Sequence, residues 1–518
     1  MPTPLKRFST PPFLALLAVG ALALVFVLVS GSGSQGSPTS GLAAYAPPET
    51  VAYAETDLKP DGRVSADVDR TLERLTGMDL VATLDQAFGR GADIDYLKEI
   101  QPWAAGPVAI STGDSRTEFG LVAQAEDPQA AETFATELRS RPDFPGAARV
   151  GLIDGNLAMA SSQGWFDRIS AAADGESLAD TPAFIDSTGK LSDGGLGTFF
   201  LSNEGLLRAV DSEDFPVSPI LKTLGLETEN TGTAMTLNVE GDRVRLEGSS
   251  GLEADAGADG AEELIASFPA DSLLAVGVDG AGRSLTELID AVEQSGAVID
   301  PGAKADGAAP DLGGLLDQNS AFGVDLPALI ESLDQVGVFA TGTTRSETSG
   351  AIVATTSDPE LVRDSIQSVS DLGAFAGGDF FRTLGGELEG FSVALPGMSG
   401  RVVAATSGDR LAIGLGVAAV RQALLPGSST LGDTALFQES TGALAGDGLN
   451  LFARPSALAP SLRDWAAKDG GAFGVMPGGK KAGKEKVRQA ARMLGAVESV
   501  VAGSGDDGSF ELDLNLNP

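Results

Sequence analysis

The chain has 518 residues, 42% of them hydrophobic, and 72 acidic against 35 basic side chains, a formal net charge of −37. Such a negative surface repels phosphate backbones, which argues against nucleic acid as a partner and leaves neutral, cationic or apolar partners. The chain contains no cysteine and no histidine. This excludes disulfides, cysteine-based metal centres and any catalytic triad that needs histidine, and no cofactor is expected.

The N-terminus predicts a membrane anchor. A short basic stub precedes Phe13–Val29, an apolar stretch of 17 residues without charge. Lys6 and Arg7 on its N-terminal side predict a cytoplasmic N-terminus, with the bulk of the chain outside the cytoplasm. We predict an uncleaved single-pass helix in the cell membrane, because the apolar run is long for a signal peptide. Cleavage near residues 30–32 is the alternative, and it leaves the same extracytoplasmic body.

The body opens with a strand and a helix. Val51–Thr56 follows Pro47 and Pro48 and is predicted as a strand, and Ser65 is a suitable N-cap for a helix at 65–75. Antiparallel hairpins follow, in which apolar strands flank polar turns. They occur in corresponding pairs: 107–126 with 336–357, 148–162 with 401–415, and 233–252 with 497–516.

These pairs reflect a duplication. Asp180–Phe199 returns as Asp433–Phe452, 253 residues later and without a gap, with ten of the twenty residues identical. We interpret Asp-Thr as a helix start, Ser-Thr-Gly as a helix end, and the shared Leu and Phe as core. Elsewhere the offset grows from 222 to 254, which predicts insertions in the second copy at 296–323 and 372–399.

The repeat unit is β-α-ββ-α-ββ-α-β-α-ββ. We predict an α+β protein with an N-terminal transmembrane helix and two tandem homologous lobes, each an antiparallel sheet with helices mainly on one face. The predicted segments are a cytoplasmic stub (1–12), the anchor (13–30), a flexible linker (31–42), a first lobe (43–256) and a second lobe (261–518).

Two related strand starts resemble a known family. Pro47-Pro48-Glu49-Thr50 matches Pro269-Ala270-Asp271-Ser272, in an acidic body of two copies behind an apolar N-terminus. From about Leu42 to the C-terminus the chain resembles a bacterial membrane-anchored extracytoplasmic family, catalogued only as domain of unknown function 3352. The resemblance implies a membrane-anchored extracytoplasmic protein and assigns no catalytic residues.

One cluster has the spacing of a serine–lysine acyl enzyme. Ser187 and Lys190 stand three residues apart, as the nucleophile and base of such enzymes do. The second copy has Ala443 in place of the lysine, and the partner motifs Lys-Thr-Gly and Ser-Asp-Asn are missing. A helix end that needs glycine explains the shared Ser-Thr-Gly more simply.

Two further stretches partly match ligand-binding loops. Gly478–Lys484 begins like a phosphate-binding loop, but Glu485 stands where serine or threonine would bind magnesium. Asp255–Gly260 resembles half of a calcium loop, whose closing glutamate would fall on Ala266. We predict no metal site and no cofactor-binding residue.

The same C-terminal region holds the single basic cluster of an acidic chain. Lys484, Arg488 and Arg492 are spaced by four residues and share a helix face. A solvated helix face is one interpretation, and a contact with an anionic partner is the other. The candidate contact residues are Lys480, Lys481, Lys484, Lys486, Arg488 and Arg492.

Three functions remain open. The first is a non-enzymatic cell-envelope protein that binds a protein, polymer or lipid or acts as a scaffold. The second is a carrier of lipid or another apolar ligand in a groove of the repeat lobes. The third is a hydrolase with paired carboxylates, for which nothing in the sequence brings two acids together. We predict that the protein is not an enzyme.

Overall fold

The computed structural model describes residues 41–517 with gaps. The residues outside the description are 1–40, 58–61, 80, 85–93, 114–117, 142–146, 193–194, 204, 206–230, 251–260, 284–285, 287–323, 345–346, 348, 377–380, 385–387, 395–400, 426, 428, 443, 445–447, 461–478, 506–507 and 518. The chain divides into two compact units, Met1–Glu253 and Ala254–Pro518.

The extent of the sheet differs from the prediction. All eighteen described strands belong to one antiparallel sheet, so the prediction of a separate sheet in each lobe is wrong. Hairpin spacing predicts which strands are neighbours along the chain. It does not say where a sheet ends, because an unpaired strand edge offers free N–H and C=O groups to further strands.

The predicted membrane helix is not part of the described fold. No helix in the described part of the chain is long and apolar enough to cross a membrane. The predicted anchor, 13–30, lies within residues 1–40 and so outside the described residues. The fold class is corrected to one antiparallel sheet with helices.

The first unit contributes eight described strands in the order β8-β7-β6-β1-β2-β3-β5-β4. The strands are β1 (Ala52–Asp57), β2 (Ala104–Thr112), β3 (Phe119–Ala125), β4 (Arg149–Ile153), β5 (Asn156–Ala160), β6 (Gly197–Ser202), β7 (Gly232–Glu240) and β8 (Arg243–Ser250). The α-helices are α1 (Gly62–Thr76), α2 (Pro128–Ser140), α3 (Gln163–Asp174) and α4 (Pro182–Thr188).

Helices cover both faces of these strands. The inner face carries the main core cluster, in which Tyr53 and Phe200 pack with Trp165 of α3 and Phe184 of α4. On the outer face α2 packs over β4 and β5, where Val150 is buried. The prediction that helices lie mainly on one face is therefore wrong for this unit. Strands with apolar residues at both alternating positions need cover on both sides.

The second unit contributes ten described strands in the order β18-β17-β16-β9-β10-β11-β15-β14-β13-β12. The strands are β9 (Ser272–Asp279), β10 (Leu333–Thr341), β11 (Ser349–Thr356), β12 (Phe381–Leu384), β13 (Glu389–Ala394), β14 (Arg401–Ser407), β15 (Arg410–Leu415), β16 (Leu449–Ala453), β17 (Val497–Ser504) and β18 (Ser509–Leu516). The α-helices are α5 (Ala261–Ala266), α6 (Leu326–Glu331), α7 (Pro359–Ala376), α8 (Val417–Leu424), α9 (Ala435–Thr441) and α10 (Gly479–Ala496). The hairpin β12–β13 lies within the predicted insertion 372–399.

The duplicated segment forms the same local structure in both units. Ser177 donates from its backbone N–H and its hydroxyl to Asp180, and Thr430 does the same to Asp433. These capping boxes close short 3₁₀ turns directly before α4 and α9. Each aspartate directly precedes the N-cap threonine of the α-helix, Thr181 or Thr434, so Asp-Thr marks the helix start as predicted.

The gapless alignment of the two segments fails at their strand. Phe184 packs on Phe200 and Phe437 on Phe452, each pair with ring centroids 5.2 Å apart. The sequence alignment instead matches Phe452 with Phe199. Side chains alternate between the faces of a sheet, so one residue of shift decides which phenylalanine reaches the inner core.

Candidate functional site

The serine–lysine pair has no catalytic geometry. Ser187 is buried, and its hydroxyl donates a hydrogen bond of 2.6 Å to the Ala183 carbonyl within α4. Lys190 is exposed and follows Gly189, the residue at which the helix ends. The serine hydroxyl is occupied by its own helix, and its counterpart Ser440 contacts Ser499 at 2.7 Å. Both serines hold helix ends within the core.

The capping aspartates have a clear electrostatic role. The hydrogen bond from the Ser177 side chain lowers the pKa of Asp180 from its ordinary value. The backbone hydrogen bond from Thr430 does the same for Asp433. Each donor favours the ionised carboxylate, so the capping boxes are strongest when both acids are charged.

We predict that Asp180→Asn and Asp433→Asn together lower the urea midpoint at pH 7. A depressed carboxylate pKa contributes stability above the unfolded-state pKa, and this contribution disappears as the pH falls through the folded-state pKa. The difference between wild type and variant should therefore shrink as the pH falls below about 4. Asp186→Asn, an exposed acid on α4, is the control and should leave the midpoint unchanged. A difference that persists at low pH would contradict this role.

The six basic residues predicted as a contact share one helix. Lys480, Lys481, Lys484, Lys486, Arg488 and Arg492 all lie on α10. Arg488 and Arg492 are exposed, whereas the four lysine side chains are outside the described residues. Ala491 is fully buried and Ala490 is exposed, so Ala491 and not Ala490 lies on the inner side of the helix. Their role in an anionic contact stays a prediction.

The loop-like motifs do not form sites in the described structure. Lys480–Lys484 lies within α10, whereas a phosphate-binding motif needs these residues as a glycine-rich loop ahead of the helix. Asp255–Gly260 lies outside the described residues. Within the part of the chain that the structure describes, no three acids are grouped so as to hold a metal ion.

The most conspicuous surface of the second unit is an open apolar face. Side chains from four adjacent strands, β9, β10, β11 and β15, point away from the inner core and remain 37–51% exposed. We call these residues the apolar strip: Leu274, Val278, Val338, Ile352, Ile413 and Leu415. Exposed apolar residues are common singly, but a contiguous group of them marks a surface that binds something.

Register places the strip residues side by side. Val276 pairs with Val338, Val338 with Ile352, and Ile352 with Ile413. Directly opposite residues in neighbouring strands have side chains about 5 Å apart, so these side chains form one continuous row. The row ends on Ala404 of β14, and no charged side chain interrupts it.

The alternating positions of the same strands face the inner core. Ala275, Phe339, Val353 and Ala412 are each at most 1% exposed. The residues of β9, β10, β11 and β15 are therefore apolar on both faces of the sheet. This pattern is typical of strands that are covered on two faces. Here the inner face is packed, and the outer face is open at the strip.

A helix borders the strip on the same face. Helix α7 packs over β12, β13 and β14. The Ser370 hydroxyl of α7 lies 3.3 Å from the Thr383 hydroxyl, and Arg363 Nε of α7 lies 3.5 Å from Glu389 Oε2. Thr383 and Glu389 are on the same outer face as the strip. The cover by α7 stops where the exposed aliphatic side chains begin.

One end of the strip is acidic. Antiparallel pairing brings the end of β9, the start of β10, the end of β11 and the starts of β15 and β13 to the same edge. Five acids lie at or next to these ends, and we call them the acidic edge: Asp279, Asp334, Asp358, Asp409 and Glu389. All except the half-buried Asp279 are exposed.

The corresponding surface of the first unit is less open. Its equivalent row, Phe199–Ala54–Ile110–Leu121–Met159, is also apolar and in register. Each of these residues is half-buried, and none is among the exposed large hydrophobic side chains of the described residues. The open strip is thus a property of the second unit and not of the repeat as such.

Sequence reasoning did not find the strip. The signal was present as continuous apolar runs such as Leu273–Val278 and Ala351–Ala354. These runs predict apolar side chains on both faces, but they do not say which face stays uncovered.

Comparison with known proteins finds no relative of this chain. No family model matches the chain, and no curated protein and no solved structure is significantly similar to it. The resemblance to the extracytoplasmic family therefore stays a prediction from the sequence.

Proposed function

We propose that this protein is a non-enzymatic binding protein whose binding surface is the apolar strip of the second unit. The observation that carries the proposal is the row Val338–Ile352–Ile413, which is contiguous, exposed and free of charge. Such a face leaves apolar surface in contact with water, and covering it by a partner is favourable by about 25 cal/mol per Å².

The chemistry of the strip supports binding rather than catalysis. Its side chains are aliphatic and carry no nucleophile, acid or base. The one sequence motif that matched a catalytic pair, Ser187 with Lys190, has its serine hydroxyl bonded to the Ala183 carbonyl. Binding through a surface with these side chains requires only shape and apolar contact.

The proposed location is the cell envelope, outside the cytoplasm. It is supported by the sequence alone, through the uncharged stretch Phe13–Val29 and the preceding Lys6 and Arg7. The binding proposal does not depend on it.

A carrier of lipid is the second candidate, because aliphatic side chains also suit an acyl chain. Small-ligand sites enclose most of their ligand's surface, whereas the strip residues are each 37–51% open to solvent. This openness favours a broad partner over a single chain. Extraction of the native protein followed by mass spectrometry should therefore release no stoichiometric lipid, and a stoichiometric lipid would favour the carrier.

We predict that the strip binds an apolar dye. Nile red fluorescence with the full chain should fall at least twofold in the double variant Ile352→Thr/Ile413→Thr, because two central exposed side chains lose apolar surface. Threonine keeps the β-branched shape that suits a strand, so the fold should persist. Ile185→Thr, at an equally exposed site of the first unit, is the matched control. Equal fluorescence of wild type and double variant would contradict the proposal.

A further inference from the structure

We infer that the apolar strip binds a cationic amphipathic helix of a partner protein. This inference rests on the proposed function, since it names the occupant of the same surface. It combines the shape of the strip, the neighbouring helix α7 and the charge of the acidic edge.

The shape of the strip suits a helix. Four strands spaced by about 4.8 Å give a face roughly 14 Å wide between the outer strands. A helix with its side chains is about 10–12 Å across, so one helix laid on this face covers it. A flat aliphatic face open along its length offers no enclosing walls for a single acyl chain.

The fold itself shows how such a face is covered. On the same side of the sheet, α7 packs over β12, β13 and β14, up to the margin of the strip. In the first unit, α2 covers the outer face of β4 and β5. A helix with one apolar side is thus the element that covers outer-face strands in this protein, and the strip is the portion without one among the described residues.

The negative charge next to the strip determines which kind of helix would bind there. The acidic edge places Asp334 and Asp409 beside the strip, both exposed. Lysine or arginine on the polar side of a docked helix would lie near these carboxylates, and charge complementarity of this kind guides association and selects partners. The whole chain carries −37, so the same helix would also be steered toward it from a distance.

The same charge disfavours two other occupants. A second copy of this chain would bring another net charge of −37 and a second acidic edge to the interface. An anionic lipid surface would be repelled in the same way. An acidic or uncharged helix would make the same apolar contact with the strip but would not be attracted to the acidic edge.

The test uses a reporter inside the strip. The chain has no cysteine, so Ala340→Cys creates a unique thiol on the outer face, next to Leu274. The full chain, held in phosphatidylcholine nanodiscs because its N-terminus is apolar, carries acrylodan on this thiol. The label emits at shorter wavelength when a ligand covers it, and a peptide bound only to the lipid leaves it unchanged. Ile185→Cys carries the control label.

Four synthetic peptides separate the contribution of apolar contact to binding from that of charge. The first is an 18-residue amphipathic helix with leucine on one side and lysine on the other. The second has the same composition in scrambled order, and the third and fourth replace lysine by glutamine and by glutamate. Binding is measured at low and at physiological salt, for wild type, for Val338→Thr/Ile352→Thr/Ile413→Thr, and for the edge variant Asp334→Asn/Asp409→Asn.

We expect the lysine helix to bind at least tenfold more tightly than the scrambled and the glutamate peptides. The threonine variant should remove this preference for the ordered sequence, because attraction by charge alone does not need an apolar side. The edge variant should weaken the lysine helix about threefold at low salt, less at physiological salt, and leave the glutamine helix unchanged.

Two results would overturn the inference and can be told apart. If the glutamine helix shifts the strip label as well as the lysine helix does, and the threonine variant abolishes this, the inference fails while the proposed binding function stands. If no probe shifts the label in a way that depends on the strip residues, both the inference and the proposed function fail.

Discussion

Replacing Phe200 or Phe452 by alanine is expected to lower the free energy of unfolding by about 3–5 kcal/mol. The two rings are at most 1% exposed and each packs on the phenylalanine of the preceding helix, at 5.2 Å. Removing either ring leaves a cavity between the sheet and α4 or α9, which surrounding side chains fill only in part. Urea denaturation of the full chain measures the loss.

The decisive comparison is Phe199→Ala. Alignment of the two sequence copies equates Phe199 with Phe452, whereas the structure equates Phe200 with Phe452. Phe199 is half-buried on the outer face, so its replacement should cost less than half as much as that of Phe200. A larger loss for Phe199→Ala than for Phe200→Ala would show that the gapless alignment is correct.

Trp165→Ala should have an effect of similar size, about 3–5 kcal/mol. Trp165 is 1% exposed and lies in the inner core of the first unit. Two glycines, Gly113 directly after β2 and Gly120 in β3, make room for its indole. A Cβ added at Gly113 would lie 2.6 Å from the ring, and one added at Gly120 would lie 2.7 Å from Nε1. No other side chain has the volume to fill a space shaped by two missing Cβ atoms.

Arg168→Ala is the control for this prediction. Its guanidinium lies 5.4 Å from the Trp165 ring centroid and contacts Glu49 and Glu118, but its side chain is 47% exposed. Cation–π contacts and ion pairs at such sites contribute at most about 1 kcal/mol. If Arg168→Ala destabilised the chain as much as Trp165→Ala, the core would depend on this surface network rather than on packing.

Much of the local structure could be predicted from the sequence. The hairpin Val108–Ala125, the helix that starts after Asp127, and the matched helix ends at Gly189 and Gly442 follow from alternation, capping chemistry and glycine. These signals involve residues only a few positions apart. They are therefore present in the sequence whatever the rest of the chain does.

The extent of the sheet and the open strip could not be predicted. Whether two strands far apart in the chain share an edge depends on unpaired backbone groups, which every strand has. Ile352 and Val353 are adjacent and both aliphatic, yet one is 48% exposed and the other fully buried. Only the position of covering helices distinguishes them, and that is a tertiary property.

The shift between Phe199 and Phe200 has a consequence for how the two halves of the gene diverged after duplication. In a strand, an insertion or deletion of a single residue exchanges the water-facing and core-facing side chains of everything beyond it. Such a change survives only when a nearby connection absorbs it before the next strand begins. Insertions and deletions between the copies should therefore be tolerated in the connections between strands. Within a strand, residues can be substituted, but the number of residues cannot change.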